Sequence, residues 1–527
     1  MSKAWLERLS HKKRRAKVNF TYEKEIEKWD VLEISCEGTC DGNPFVDYDI
    51  TGFFSSKNEN KTVKGFYDGD GIYKVRFMPS FTEEYSFEIK GSFSAEQASG
   101  IFTAKAPREN NHGPVRVANT YHFAYEDGTP HYSAGTTCYV WQLQSAKLQR
   151  QTLETLKKST FNKLRFCIFP KHYDYNLNEP SSYPYVGKPM DSSVLTKANF
   201  MEYDGNPEGN EFNYQMFNIE HFKHIEKCIE ALRDMNIEAD LIVMHPYDRW
   251  GFSLMTKEQD NLYWNYVIAR FAAYRNVWWS LANEYDLMPQ KTIEDWERYA
   301  KIICDNDPYN HLRSIHNCRP FYDHSRPWIT HCSIQRQDIY KTAELVGEWR
   351  DRYKKPIVLD EIVYEGNIQH GWGNIDGEEM TRRFWEATMR GGYAGHGETY
   401  MNENDILWWS HGGKLHGTSP ARIDFLTSIL QETPSYGLEP KAENWDELCA
   451  VPASGEAFTK EVQDYYLYYY GFNRPSFREY YHDDETAFDV ELIDTWNMTI
   501  EKLGTFSGRF KINLPGKKYM AVRMKKH

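Results

Sequence analysis

Two short segments end in carboxylates: Trp279-Ser280-Leu281-Ala282-Asn283-Glu284 and Pro356-Ile357-Val358-Leu359-Asp360-Glu361. Each reads as a buried apolar strand with its acids at the C-terminal end. Two such strands at one end of a barrel would aim two acids into a single pocket. Facing acids can break a glycosidic bond, one protonating the leaving oxygen while the other attacks the sugar carbon. Glu284 follows Trp278, Trp279 and Leu281, and apolar surroundings keep a carboxyl protonated, as a general acid must be. Asn283 beside it suits a sugar 2-hydroxyl, although an Asn-Glu pair also caps helices. Glu361 must be ionised to act as nucleophile, and Arg165 is the charge expected to hold it so. Asp360 and Glu365 are its rivals. Strand alternation sends Asp360 and Glu361 to opposite faces, so only one is expected to point inward. Double displacement through such a pair expects carboxyl groups roughly 5–5.5 Å apart.

The elements that must position these acids follow Pro107. Apolar strand candidates at 131–141, 163–169, 239–245, 277–284, 313–316, 329–335, 357–361 and 395–400 alternate with amphipathic helices. Phe222, Ile225, Ile229 and Leu232 recur at helical spacing, as do Ile293, Trp296, Ala300 and Ile303. Eight strands alternating with helices are the pattern of a (β/α)8 TIM barrel, assigned to residues 108–450. A doubly wound sheet competes, but Gly135-Thr136-Thr137 is too weak for its glycine-rich phosphate loop.

Before the barrel, Tyr73, Val75 and Phe77 alternate with Lys74 and Arg76, and Tyr85, Phe87 and Ile89 with Ser86 and Glu88. Period two predicts an N-terminal immunoglobulin-like β-sandwich within residues 1–107, preceded by a short basic arm, His11-Lys12-Lys13-Arg14-Arg15 with Lys17. Asp68-Gly69-Asp70-Gly71 reads as a hairpin turn; a calcium loop would need Glu where Pro79 stands. Period two returns with Phe488, Val490 and Leu492 and with Phe510, Ile512 and Leu514, predicting a small C-terminal β-sandwich over residues 451–527.

Other polar groups fall at the ends of barrel strands. His172 follows the second strand, His245 and Asp248 the third, and His316 with Asn317 the fifth. A lone histidine is more often a structural hydrogen-bonder than a ligand, but several at one rim favour binding of sugar hydroxyls. Trp409 follows the eighth strand in Trp408-Trp409-Ser410-His411-Gly412-Gly413, where it either stacks under a sugar or seals the barrel; Glu398 is a weaker candidate. Neither His-Glu-x-x-His nor a His-x-His pair on the first strand is present, so no metal and no cofactor are expected.

Composition narrows the partners. A net charge of −13 argues against nucleic acid, and no stretch approaches the roughly 18 apolar residues of a membrane span. Forty per cent apolar residues and 16% aromatics build large cores. The nine cysteines form no disulfide framework, although Cys36 and Cys40 could pair; Cys167, Cys228 and Cys304 read as buried thiols. With no apolar signal segment at the N-terminus, a cytoplasmic location is expected, with carbohydrate as partner and a homo-oligomer open.

Asn283-Glu284 on strand four with a Glu on strand seven resembles the clan A glycoside hydrolases, of the family 5-like barrel type. Asn43-Pro44-Phe45, Gly65-Phe66-Tyr67-Asp68-Gly69-Asp70-Gly71 and Arg76-Phe77-Met78-Pro79 resemble an N-terminal β-domain attached to glycosidase barrels related to bacterial apiosidases. Leu359-Asp360-Glu361 with Tyr364-Glu365-Gly366 is similar to the nucleophile strand of those barrels. The likeness covers most of the chain. It implies a retaining glycosidase with Glu284 as acid/base and Glu361 as nucleophile, acting on a terminal pentosyl or related residue such as apiose. Many clan A members hydrogen-bond the nucleophile through a Tyr near the end of strand six. Here that strand reads Thr330-His331-Cys332-Ser333-Ile334-Gln335, so His331 or Gln335 is expected to substitute. The long insert 172–218 would close the pocket for exo-action. A transglycosidase, or a carbohydrate-binding barrel without turnover, is the alternative.

Overall fold

The computed structural model describes residues 19–94, 97–338, 340–402, 407–453 and 463–527. The basic arm at His11–Lys17 lies outside the described residues. At the centre is a parallel barrel of eight strands: β1 Gly135–Thr137, β2 Lys163–Cys167, β3 Glu238–Met244, β4 Val277–Ala282, β5 Arg313–Ser314, β6 Cys332–Gln335, β7 Ile357–Glu361 and β8 Tyr393–His396. They pair in the order 5-4-3-2-1-8-7-6. The seam between β5 and β6 carries no ladder. Thr330 N donates to Arg313 O at 2.9 Å, and Asn317 bonds both backbone groups of Gln335, at 3.2 and 3.3 Å. One amide side chain thus does there what a neighbouring strand does elsewhere.

Several strands are shorter than their apolar runs, the first and the last most clearly. Of residues 131–141 only Gly135–Thr137 enters the barrel, and β8 begins at Tyr393 and stops at His396. Glu398–Thr399 leaves the barrel to pair with Glu365–Gly366. Helices 146–156, 219–233, 257–271, 293–306, 346–353 and 377–389 connect successive strands, and 419–431 follows β8. Between β5 and β6 a loop replaces the helix. Sequence explains several helix starts: Thr256 with Gln259 and Thr292 with Asp295 form reciprocal capping boxes, and Asp376 caps Glu379 N. Phe222, Ile225, Ile229 and Leu232 are fully buried. In the next stripe Trp296, Ala300 and Ile303 are buried, but Ile293 is 45% exposed because it begins the first turn, ahead of the strand it would cover.

The bottom of the barrel is plugged by the hairpin Val115–Ala118/His122–Tyr125. Its Phe123 is buried against Trp278, His331 and Tyr393 at ring distances of 5.2, 5.8 and 5.2 Å.

N-terminal to it, a four-stranded and a five-stranded sheet face each other, with Phe54 of one stacked on Phe77 of the other at 4.1 Å. Tyr73, Val75 and Phe77 point into this core as the alternation predicts. Arg76, on the opposite face, is buried too, because that face docks on the barrel. Its guanidinium meets Glu226 at 2.6 Å and Glu33 at 2.8 Å. Arg270 reaches the same Glu226 at 2.6 Å and Asp68 at 2.9 Å. Asp68–Gly71 is a hairpin turn, with Ile72 N donating to Gly69 O and positive φ at Gly69, Asp70 and Gly71.

C-terminal to the barrel, a six-stranded sheet and a two-stranded ribbon enclose their own core of Phe488, Val490, Phe510, Ile512 and Val522. This sheet begins at Leu438, inside the stretch assigned to the barrel, because the chain leaves the last barrel helix at Gln431 and passes directly into it. All nine cysteines are free thiols, Cys36 and Cys40 included. Cys304 is exposed, on the outer face of its helix. No described helix is long and apolar enough to cross a membrane.

Candidate active site

Glu284 and Glu361 both arrive at the C-terminal end of the barrel, where loops build the pocket. Glu284 is the second residue past β4 and has φ of 51°, a left-handed conformation costly for a side-chain-bearing residue. Tyr285 N donates to His316 O at 3.0 Å and fixes the turn. The Glu284 carboxylate accepts from Tyr247 Oη and, at 3.1 Å, from Asn283 Nδ2. Burial pushes its pKa up, and the negative charge of Glu361 adds to the rise.

Glu361 ends β7. Its Oε1 accepts from Tyr139 Oη, lies 3.4 Å from Arg165 Nη1 and 3.3 Å from His316 Nε2. Burial opposes its charge, but the His316 hydrogen bond and charge, Arg165 and Tyr139 overcome burial and hold the carboxyl down to about 2. Tyr139 Oη also reaches Asn283 Oδ1 at 3.2 Å, so Tyr139 and Asn283 link the two carboxylates.

Asp360 does not turn away from Glu361, as simple alternation predicts. Between Ser333↔Val358 and Gln335↔Glu361 the β6–β7 register gains a residue on β7, and a bulge of this kind puts consecutive side chains on one face. Asp360 therefore meets Lys163 Nζ at 2.6 Å and accepts from Ser333 Oγ at 2.5 Å. Ser333 Oγ in turn lies 3.0 Å from His316 Nδ1, and His316 Nε2 lies 3.1 Å from Gln335 Oε1. A continuous chain, Lys163–Asp360–Ser333–His316–Glu361, runs up the inside of the barrel. Burial opposes ionisation of Asp360, but Lys163 and Arg165 hold it well below the usual carboxylate range.

Asn283, Arg165 and His316 thus gather at the acids, and Gln335 stands behind His316. Trp409 forms a wall, edge-on to Tyr139 at 5.5 Å and tilted against Trp372 at 5.1 Å. His245 Nε2 donates to Phe169 O, 3.4 Å away; its ring stands 6.3 Å from Tyr247, and burial pushes its pKa down to about 3.

Three expected pocket residues are placed elsewhere. His331 is at the opposite end of the barrel against Phe123 and Trp278, because it precedes β6 rather than ending it. Asp248 is consumed by its own loop, accepting from Trp250 N, Ser253 N and Ser253 Oγ. His172 turns to Phe200 O at 2.9 Å and braces the insert. The rival acid Glu365 is held by Thr418 N, Ser419 N and Ser419 Oγ at the start of the last barrel helix, away from the pocket.

Glu365, His396 and Glu398 form a buried group whose ligand-type atoms lie within 4.8 Å of one another. Backbone N–H groups of His416 and Gly417 occupy Glu398, so both carboxylates serve the loop that covers them. Burial pushes Glu398 up to about 7.

Sequence reading missed the tyrosines and one lysine. Tyr139 takes the role expected of His331 or Gln335, from the end of β1 instead of β6. Tyr247, two residues past His245, does the same for Glu284. Lys171, four residues past β2, is buried with its ammonium among the rings of Tyr139, Tyr247 and Trp409 at 3.7, 4.0 and 4.5 Å. The signal was present, a Tyr or Lys just beyond a strand end, but 37 tyrosines dilute it.

A (β/α)8 barrel with two buried carboxylates at its C-terminal rim, one driven toward protonation and one toward charge, is a glycoside-hydrolase-like catalytic unit. The family model described as "Apiosidase-like, catalytic domain" matches residues 117–460, and the chain belongs to that family. Two domains of unknown function, DUF5060 and DUF5605, match residues 25–92 and 445–525. The crystal structure of a "putative glycoside hydrolase" from Bacteroides vulgatus ATCC 8482 is similar over 96% of this chain and 100% of that one, with 34% identity and a TM-score of 0.87. An endo-beta-1,4-mannanase from Thermotoga petrophila matches at 12% identity and TM-score 0.40, over 76% of this chain and 98% of its own, too distant to bear on this chain's chemistry. No curated protein matches the sequence.

Proposed function

We propose that the protein hydrolyses O-glycosidic bonds with retention of configuration. Glu284 gives its proton to the departing oxygen as a Glu361 oxygen bonds to the anomeric carbon, forming a glycosyl ester. Glu284, now a carboxylate, takes a proton from water; that water attacks the same carbon and releases Glu361. The single observation that supports this reading is the opposed setting of the two acids. Glu284 is buried beside a negative charge, which favours its protonated form, while Glu361 faces His316, Arg165 and Tyr139, which favour its ionised form. Insert 172–218, braced by His172, favours exo-action on a terminal sugar, and family membership makes an apiosyl residue one candidate.

The test is mass spectrometry of intact protein treated with 2-fluoro glycosides bearing good leaving groups, apiosyl included. A mass gain mapped to the peptide carrying Glu361 is expected. A label on Asp360 or Glu365 would overturn the nucleophile assignment, and inverted product from an aryl glycoside would overturn retention.

A further inference from the structure

We propose that Lys171 recognises a carboxylate on the sugar held between Glu284 and Glu361, so that the pocket takes a uronosyl-type glycone. The inference deepens the hydrolase reading and rests on it only for where the sugar lies.

Two other lysine and arginine side chains, Lys163 and Arg165, are buried along β2, and both have carboxylate partners. Lys163 touches Asp240 and Asp360, at 3.0 and 2.6 Å. Arg165 touches Glu361 at 3.4 Å and Asp240 at 3.9 Å. Lys171 is only 3% exposed, yet among the described residues no carboxylate pairs with its ammonium and no acceptor takes a hydrogen bond from it. It has aromatic faces instead: Tyr139, Tyr247, Trp409 and, at 5.4 Å, Tyr173. Ring faces attract an ammonium but leave its three N–H donors without acceptors. A buried charge in that condition is costly unless a ligand completes it. A carboxylate does so best, because hydrogen bonds between two ions are short and roughly twice as strong as neutral ones.

Position identifies which sugar carries the acid. Tyr139 bonds the candidate nucleophile and Tyr247 the candidate acid, and Lys171 lies against the rings of both. A group flanked by these two rings faces the sugar that spans the two carboxylates, which is the glycone. Apiose carries no charge, so the inference departs from the apiosyl candidate. Burial pushes the Lys171 ammonium down to about 8, and an arriving carboxylate would reverse that cost.

Calorimetry with the intact protein and free sugars tests the site without turnover. Glucuronate, galacturonate and mannuronate are each compared with the neutral sugar of the same configuration. At least one uronate is expected to bind tenfold or more tighter than its neutral twin, and Lys171→Met to erase that gap. If no uronate exceeds its twin, or the gap survives Lys171→Met, the inference is overturned. Should that variant not fold, pH reports the same group: uronate affinity is expected to fall above about pH 8, and affinity constant through that range would overturn it. Glu284, Glu361, Cys167, Arg165 and His245 are the other titratable or charged groups whose fields couple to Lys171, beside the tyrosines of its cage. A parallel assay with aryl uronides and neutral aryl glycosides separates the two readings. Turnover of neutral glycosides with no uronate preference removes the anion site and keeps the hydrolase. Uronate binding with no turnover of any aryl glycoside does the reverse.

Discussion

At the scale of single residues, hydrogen-bond donors set the two acids apart. Tyr139, Arg165 and His316 converge on one oxygen of Glu361, so protonating that carboxylate means losing several favourable contacts at once. In the pH profile of kcat/KM, the acid limb is therefore expected near pH 2, where Glu361 titrates, and the alkaline limb, from Glu284, above the ordinary carboxyl range. Tyr139→Phe removes one donor to the ionised form. It is expected to move the acid limb to higher pH and lower kcat by about 10²-fold, the order found when one preorganised donor at a reacting charge is removed; an unmoved acid limb would show that Tyr139 does not hold Glu361 in its ionised form. Glu238 makes a different prediction. It is buried, accepts from Trp278 Nε1 at 2.9 Å, and burial pushes its carboxyl up to about 8. Folded protein holds that proton where unfolded chain releases it, so stability falls as pH rises from the ordinary carboxyl pKa to about 8. Glu238→Gln removes this dependence, and its urea midpoint should gain on the parent steadily across that window.

At the scale of elements, the bulge in β7 matters most. It brings Asp360 inward beneath Glu361 and so allows Ser333 to connect Asp360 to His316. Asp360→Asn weakens the acceptor that orients Ser333, and through it His316. A rise in the pH of the acid limb and a lower kcat, with KM nearly unchanged, are expected from kinetics across pH. Ser333→Ala should reproduce the shift without altering the charge on β7, and wild-type behaviour of both variants would show that the chain is idle. The strands and the two helical stripes were largely legible in the sequence: the apolar runs and the two acid-ended segments stand at or near their expected positions. The bulge was not, because strand periodicity assumes an unbroken register. Nor was the placement of His331 and Asp248, since spacing tells which loop a polar residue occupies but not which way it faces or what backbone it satisfies. The Tyr139 partnership joins the ends of β1 and β7, residues 222 apart, and only closure of the barrel brings them together.

At the scale of the whole molecule, the N-terminal sheets are tied to the barrel by a buried ionic cluster rather than by a linker alone. Arg76 sits on Glu226 and Glu33, Arg270 on Glu226 and Asp68, with Arg76 Nη1 also donating to Arg270 O at 2.8 Å. Arg76→Ala would leave Glu226 with one partner where it has two. Removing one member of a buried pair costs about 3–5 kcal/mol, and that loss is expected in chemical denaturation followed by tryptophan fluorescence. A value under about 1 kcal/mol, typical of surface pairs, would mean that the sheets ride loosely on the barrel. On the opposite side, Trp385 stacks on Tyr469 at 5.1 Å and Arg390 pairs with Glu443 at 2.8 Å, so the last sheet buttresses the helix between β7 and β8.

The barrel wall has one place where a side chain stands in for a strand: Asn317, between β5 and β6. With no helix outside it and no ladder along it, this is the stave most easily sprung. His316 and Gln335 border the gap and lean on Glu361 directly or through each other. Warming should therefore disarm the enzyme before it melts it: residual turnover would fade at temperatures where circular dichroism still reports an intact fold, and amides flanking Asn317 would be the first in the barrel to exchange with deuterium.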